Sequence, residues 1–179
     1  AANSGKWYAE CKVKNISSTY ASFGLIGVED LQTNRVAYPH GAATGVAFQF
    51  DYRAGQSAVV GNDSTILSNE VDIANDDIMG FAMDLDNGKL YWHKNGTYIN
   101  SGDPTSGATG TGAVNVPTAG IYYYITYGVY NGAILDANFG NSIDALSSAV
   151  ADGDGYGAFE YAVPSGYYAL CTKNLATYG

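Results

Sequence analysis

Positive charge is scarce in this chain. Its 8 Lys and Arg stand against 17 Asp and Glu, a formal net charge of −9. The cations are scattered, so no basic patch forms and a phosphate backbone would be repelled. That argues against nucleic-acid binding. Long apolar runs are missing too: no segment approaches the roughly 18 uninterrupted apolar residues of a spanning helix, which argues against membrane insertion. Histidine is limited to His40 and His93, far apart in sequence. A Ser or Cys nucleophile would need one of them beside an orienting acid, and nothing supports that arrangement. Proline occurs 4 times and cysteine twice. The chain starts at Ala1 without Met and has no signal-peptide pattern. The expectation is a chain trimmed, processed or cut from a longer protein, with no room before Trp7 for an anchoring domain.

Glycine and tyrosine are abundant, at 23 and 16 of 179 residues. Many turns combined with β-favouring aromatics point to an all-β protein. With 46% hydrophobic and 14% charged residues, the chain is apolar enough to build a core. The organising stretch is Asp77 to Gly96, D-I-M-G-F-A-M-D-L-D-N-G-K-L-Y-W-H-K-N-G. A nearly continuous apolar run from Ile78 to Leu85 suits a strand buried on both faces. Asp86-Asn87-Gly88 supplies a tight turn, and Lys89 to Lys94 resumes the extended pattern.

Gly5 to Lys14 alternates, with Trp7, Ala9, Cys11 and Val13 on one face and Tyr8, Glu10, Lys12 and Lys14 on the other, as a half-buried strand would. Tyr20 to Glu29, Val46 to Tyr52, Ser57 to Val60, Thr65 to Leu67, Ile121 to Tyr130, Ala133 to Phe139 and Tyr167 to Thr172 read as further strands. Asn131-Gly132 makes a hairpin turn. Asn100 to Gly120 reads as a long loop suited to binding. No segment is a convincing amphipathic helix, although Ile143 to Val150 could make a turn or two. There is no internal repeat and no domain break. The expectation is one domain, residues 1–179, folded as an antiparallel β-sandwich or jelly roll.

Several segments resemble a known family. G-K-W-Y-A-E at 5–10, G-L-I-G-V at 24–28, the stretch at 77–96 and N-F-G at 138–140 occur in the order and spacing of the SPRY domain, a concanavalin A-like antiparallel sandwich. The resemblance covers essentially the whole chain. It is nearest to SPRY-like domains of tailed-phage virion proteins, which are similar in the N-S-G-D-P segment, here Asn100 to Pro104, and in the tail from Pro164 to Leu175. The resemblance implies recognition of a partner through loops at one end of the sandwich, and it implies no catalysis. It also places Trp7 and Trp92 in the core, with Leu90 inward and Tyr91 and His93 outward.

The enzyme-like features are incomplete. Glu70-Val71-Asp72-Ile73 resembles the start of the catalytic strand of laminarinase-type glycosidases, which need two carboxyls about 5 Å apart. Ala74 and Asn75 stand where the second Glu belongs. Asp152-Gly-Asp154-Gly and Asp84-Leu-Asp86-Asn-Gly have calcium-like oxygen spacing but no closing Glu, so no metal and no cofactor is expected. Cys11 and Cys171 lie on the first and last expected strands. They are either a disulfide, worth about 5 kcal/mol for a loop of about 160 residues, or two core residues. The sequons at Asn15, Asn62 and Asn95 matter only in a eukaryotic secretory host.

The expected function is a non-enzymatic virion component (capsid decoration, fibre or tail-tip adhesion domain) that meets other virion proteins or a host-surface receptor or glycan in many copies, on a virion or outside cells. The alternative is a secreted or cell-surface lectin-like module, and a glycosidase comes third. The expected ligand-binding residues are Tyr38, His40, Tyr52 and Arg53, which offer aromatic faces and a guanidinium fork at strand ends and in loops. The tyrosine-bearing sheet face at Tyr122 to Tyr130 is the second place to look. There, outward rings suit either a ligand or an aromatic ladder that stabilises the sheet.

Overall fold

Alternating side chains and Asn-Gly or Asp-Gly turns make a chain of short strands. The computed structural model describes residues 1–16, 20–27, 47–53, 55–62, 64–68 and 70–179. The strands are β1 (Lys6–Asn15), β2 (Tyr20–Gly27), β3 (Ala47–Arg53), β4 (Gln56–Gly61), β5 (Ser64–Ser68), β6 (Ile78–Asp84), β7 (Lys89–Lys94), β8 (Thr97–Tyr98), β9 (Val114–Asn115), β10 (Tyr123–Tyr130), β11 (Ile134–Asn138) and β12 (Tyr168–Ala169). Among the described residues one α-helix, α1 (Thr172–Tyr178), follows the last strand. The protein is all-β, as the sequence leads one to expect, and it has two sheets. A five-stranded sheet has the order β10-β2-β3-β4-β5, and its pairs are antiparallel. A seven-stranded sheet has the order β11-β1-β6-β7-β8, with β9 added on β7 and β12 added in parallel on β1. Two compact units result. The first comprises residues 13–76 and 119–135, and the second residues 2–12, 77–118 and 136–179.

The five-stranded sheet belongs to the first unit. One of its faces is aromatic and buried: Phe23 lies opposite Phe50 on β3 and Tyr127 on β10, with ring centroids 6.0 and 6.2 Å away. The other face is polar and is taken up below.

In the second unit the β6–β7 hairpin has the register its motif implies. Phe81 pairs with Trp92 and Met83 with Leu90, and all four are buried, as is Trp7. Tyr91 and His93 fall on the opposite face, as expected, yet they are not outside: both are buried, together with Tyr8 and Glu10 on the neighbouring β1. β1 is therefore buried on both faces rather than half-buried. The cause is a cover. Phe159, Tyr167 and Ala169 from the C-terminal segment pack on Tyr8, Ala82 and Tyr91, with Tyr98, Ala113 and Val163 at the margin. The covering segments are irregular and short of apolar periodicity, so their pattern announces exposure while their aromatics supply a second core.

Carboxylates hold this cover in place. Asp152 Oδ1 accepts from the backbone N–H of Asp154 (3.0 Å) and Tyr156 (2.9 Å). Its Oδ2 accepts from the Ala169 N–H (2.9 Å) and the Asn174 side-chain amide (2.8 Å). The D-G-D-G segment is thus a structural anchor whose first carboxylate is already saturated by nitrogen donors. The Asn100 to Gly120 segment is likewise structured. It holds 3-10 turns at Ile99–Ser101 and Pro104–Thr109, then β9. Asp103 caps the second turn through the Thr105 N–H and hydroxyl at 2.8 and 2.7 Å. Tyr167 donates to the Pro104 carbonyl at 3.0 Å.

The expected last strand, Tyr167 to Thr172, is only two residues long and gives way to α1. The first and last strands are neighbours, with Trp7 opposite Tyr168 and Tyr8 opposite Ala169. Cys11 and Cys171 are nonetheless both free thiols. Strand β12 stops at Ala169 and Cys171 sits at the N-cap of α1, so the chain has turned away before it could run alongside Cys11.

Two stability outcomes follow. Trp92→Ala should lose about 3–5 kcal/mol in denaturant unfolding, and an unchanged midpoint would contradict its burial. Asp152→Asn replaces two acceptor lone-pair sites with an N–H2 group that faces N–H donors, and should cost on the order of 2–4 kcal/mol. Burial pushes the Asp152 carboxyl up, but its four hydrogen bonds outweigh that and leave it below the ordinary carboxylate range. Its contribution is therefore complete above that range and is lost as pH falls through it. The wild-type–mutant difference in unfolding free energy should shrink towards acid pH.

Candidate functional site on the five-stranded sheet

Period-two alternation sets the polar face of this sheet. On β3, Phe48, Phe50 and Tyr52 point one way, so Gln49, Asp51 and Arg53 point the other. The register then places Tyr20 opposite Arg53, Ser22 opposite Asp51 and Gly24 opposite Gln49. On the far side of β2, Thr126 pairs with Gly24, Tyr124 with Ile26 and Tyr130 with Tyr20. One face therefore collects Tyr20, Ser22, Gln49, Asp51, Arg53, Tyr124, Thr126 and Tyr130.

The face has a buried floor and an exposed margin. Tyr20, Ser22, Gln49 and Asp51 are buried. Polar groups at that depth are costly unless they are paired, and the pairing is partial: among the described residues the Gln49 side-chain oxygen has no hydrogen-bond partner. The Gln49 side-chain amide donates to the Thr126 hydroxyl at 2.8 Å. Arg53 Nε lies 3.2 Å from Asp51 Oδ2, and the guanidinium sits over the Tyr20 ring, 5.1 Å from its centroid. Burial pushes the Tyr20 phenol well above its ordinary value, with the neighbouring Asp51 adding to the effect and the Ser22 hydroxyl opposing it, so it stays a neutral hydroxyl. The margin is different in kind. The Arg53 side chain is 55% exposed. Tyr124 and Tyr130 are 37% and 58% exposed, and Tyr122, just before β10, is 49% exposed. Among the described residues β10 pairs with β2 alone and ends the sheet.

The four expected ligand residues fare differently. Tyr38 and His40 lie outside the described residues. Tyr52 is buried on the aromatic face, where its hydroxyl meets Asp72. Arg53 lies on the polar face. Tyr52 and Arg53 are consecutive on one strand and so cannot grip a ligand together. Asp51, Gln49 and Tyr20 were missed, although the alternation of V-A-F-Q-F-D-Y already places Gln49 and Asp51 opposite the phenylalanines.

The other chemistry-bearing motifs resolve into structural roles. Residues 70–76 form no strand, so Glu70 and Asp72 are not presented as a glycosidase pair. Asp84 accepts from the Asn87 backbone and side chain at 3.0 and 2.9 Å and pairs with Lys6 at 2.8 Å. Asp86 accepts from the Gly5 N–H at 2.8 Å. These contacts close the hairpin turn and the start of β1. Among the described residues no group of three or more His, Cys, Asp or Glu is placed to hold a metal ion.

A second cluster, in the other unit, has catalytic residue types but no access. The Gly96 N–H donates to His93 Nδ1 at 3.2 Å. That leaves the ring proton on Nε2, which donates to the Tyr8 hydroxyl at 2.6 Å. Tyr8 in turn donates to Glu10 Oε1 at 2.8 Å. Glu10 also accepts from the Tyr161 N–H at 2.9 Å and the Glu160 N–H at 2.8 Å. Gly80 makes room for the imidazole, because a Cβ there would lie 1.8 Å from His93 Nε2. His93 is 1% exposed and Glu10 2%, so the chain ties the cover to the sheet and meets no substrate.

No family model matches the chain, and no curated protein matches it.

Burial lowers the His93 pKa from 6.5 to about 4. Unfolded His takes up a proton below about 6.5, whereas the native ring does so only near 4, so stability should fall as pH drops through that window. Burial raises the Glu10 carboxyl, which acts in the opposite direction, because the native state then holds a proton more readily than the unfolded chain. Denaturant unfolding of wild type and His93→Gln between pH 7 and 4 separates the two. The mutant, less stable throughout, should lose less stability across the window, and identical pH slopes would remove His93 as the cause.

Proposed function

We propose that the protein is a non-enzymatic binding module that takes glycan on the tyrosine-bearing face of the five-stranded sheet, as a virion structural or adhesion component. One observation carries this reading: Tyr124 and Tyr130 expose their rings on the same face as the Arg53 guanidinium and the Gln49–Thr126 pair. A sugar ring presents C–H surfaces that stack on aromatic faces, and hydroxyls that need fixed donors and acceptors. Tyrosine offers an apolar body with a polar tip, and the guanidinium offers several donors in one plane. Both stand on paired strands and need little ordering on binding.

The setting is supported by the resemblance to SPRY-like domains of tailed-phage virion proteins. In that setting the module acts in many copies, beside other virion proteins or against a host-surface glycan. A secreted or cell-surface lectin-like module would use the same face. Release of reducing ends from β-glucans is not expected, because Glu70 and Asp72 lack a second Glu and lie off any strand.

A glycan array probed with wild type, Tyr130→Ala and Arg53→Ala tests the reading. Signal on one sugar class should fall about tenfold or more in both mutants, with melting temperatures close to wild type, since both side chains are largely exposed. Tyr52→Ala tests the competing placement; it should lower the melting temperature, as the ring is buried. An empty array, or mutants that bind like the parent, would sink the glycan site. Immunogold labelling of source particles separates virion from secreted protein: absence from particles rejects the virion setting.

A further inference from the structure

Three Asn-Gly pairs occur, at Asn87, Asn95 and Asn131. We propose that Asn131 is a site of spontaneous covalent modification, and that the fold protects the other two. The Gly132 backbone nitrogen attacks Asn131 Cγ. A new N–C bond closes a five-membered imide, the attacking amide loses its proton, and the side-chain nitrogen leaves as ammonia. Water then adds to either imide carbonyl and that C–N bond breaks, leaving Asp or iso-Asp. One water is consumed and one ammonia released, with no oxidant or reductant. Glycine permits the attack because no Cβ shields its nitrogen.

The three sites differ in what must be broken first. At Asn95 the side-chain oxygen accepts from the Ile78 N–H at 2.8 Å, and the amide donates to Asp77 at 2.6 Å. The Asn95 N–H bonds the Ile78 carbonyl at 2.8 Å. The nucleophile itself, the Gly96 N–H, is engaged with His93 Nδ1. At Asn87 the side-chain amide donates to Asp84, and the Gly88 carbonyl accepts from the Val116 N–H at 3.0 Å. That site is also crowded, since a Cβ on Gly88 would meet the Val116 carbonyl at 2.5 Å.

Asn131 and Gly132 are both exposed, and a Cβ on Gly132 would meet nothing within 4 Å. Among the described residues neither the Asn131 side chain nor the Gly132 N–H has a hydrogen-bond partner. The pair lies in the left-handed region, φ 54° and 84°, so the turn must open before the nitrogen can reach Cγ. Two bonds oppose that opening: Ala133 N–H to the Tyr130 carbonyl at 3.2 Å, and the Asn15 amide to the Gly132 carbonyl at 2.8 Å. Both lie at the surface, where water replaces them at little cost. The iso-Asp product adds a backbone carbon to the turn between β10 and β11. Either product puts a negative charge into a stretch that has none from Thr105 to Leu135.

The test is timed incubation of the full chain in warm, mildly alkaline buffer, with a parallel sample in denaturant, followed by peptide mapping by mass spectrometry. In the folded protein, Asn131 should gain the mass of an NH2-to-OH exchange about tenfold or more faster than Asn87 or Asn95, with both Asp and iso-Asp present. In denaturant the three rates should converge. Comparable rates at Asn131 and Asn95 in the folded protein would overturn the proposal. So would a folded Asn131 that stays intact while the denatured one converts, or an unchanged mass gain at that turn in Asn131→Gln.

Discussion

A single buried carboxylate fixes the architecture of the second unit. Glu10 lies on the face of β1 that an alternating pattern assigns to solvent, yet residues 150 positions away reach it: the N–H groups of Glu160 and Tyr161 donate to its two oxygens. A carboxyl at that depth is costly unless its lone pairs are filled. Three donors fill them here, the third being Tyr8. The same bonds fasten an irregular segment that has no strand partners at that point. Asp152 repeats the device nearer the C-terminus, gathering two turn amides, the end of β12 and the Asn174 side chain on one carboxylate. Such bonds are directional, so they select one placement of a cover whose apolar contacts alone would tolerate several.

The sequence made the strands legible and the cover illegible, for physical reasons. Period-two alternation and Asn-Gly turns are local signals, and β1, β3, β6, β7 and β10 lie close to where those signals put them. Trp92, Leu90, Tyr91 and His93 take the faces their register dictates. What failed was the inference from polar to exposed. Tyr8, Glu10 and His93 are polar and inside, because a segment more than 60 residues away from His93 closes over them, and nothing within a strand's own window reports such a partner. The short helix α1 was missed for a related reason. Seven residues capped by Cys171 with no side-chain bond carry little helical signal, and the position is set instead by contacts such as Asn174 with Asp152 and Ala169.

The candidate site was half legible. Arg53 and the tyrosines of β10 could be named from the sequence, but grouping Arg53 with Tyr52 ignored the alternation that separates neighbours on a strand. The register across β3, β2 and β10 shows which side chains share a face, and it depends on pairings between segments up to 110 positions apart, as between Tyr20 and Tyr130. The floor of this face is also informative. Ser22, Gln49 and Asp51 are too deep to touch a ligand, so their contribution is to hold what stands at the margin. Asp51 steers the Arg53 side chain through Nε, and the Tyr20 ring supports the guanidinium from below. An arginine restrained on two sides loses less freedom when it binds, which makes it a better anchor than a free surface cation.

Charge explains why the margin is built as it is. The chain carries a net −9, yet the stretch from Thr105 to Leu135, which contains all of β10, has no charged residue. Copies of such a chain repel one another, as does any acidic surface they approach, but the repulsion between exposed charges fades beyond roughly 8–10 Å at physiological ionic strength. A glycan bound on β10 as proposed would therefore meet a locally neutral surface and be held by ring stacking and hydroxyl hydrogen bonds. Arg53 is the exception at the edge, and Asp51 largely balances it. A face of this composition discriminates by shape and hydrogen-bond geometry rather than by net charge, which suits neutral sugar surfaces better than phosphate.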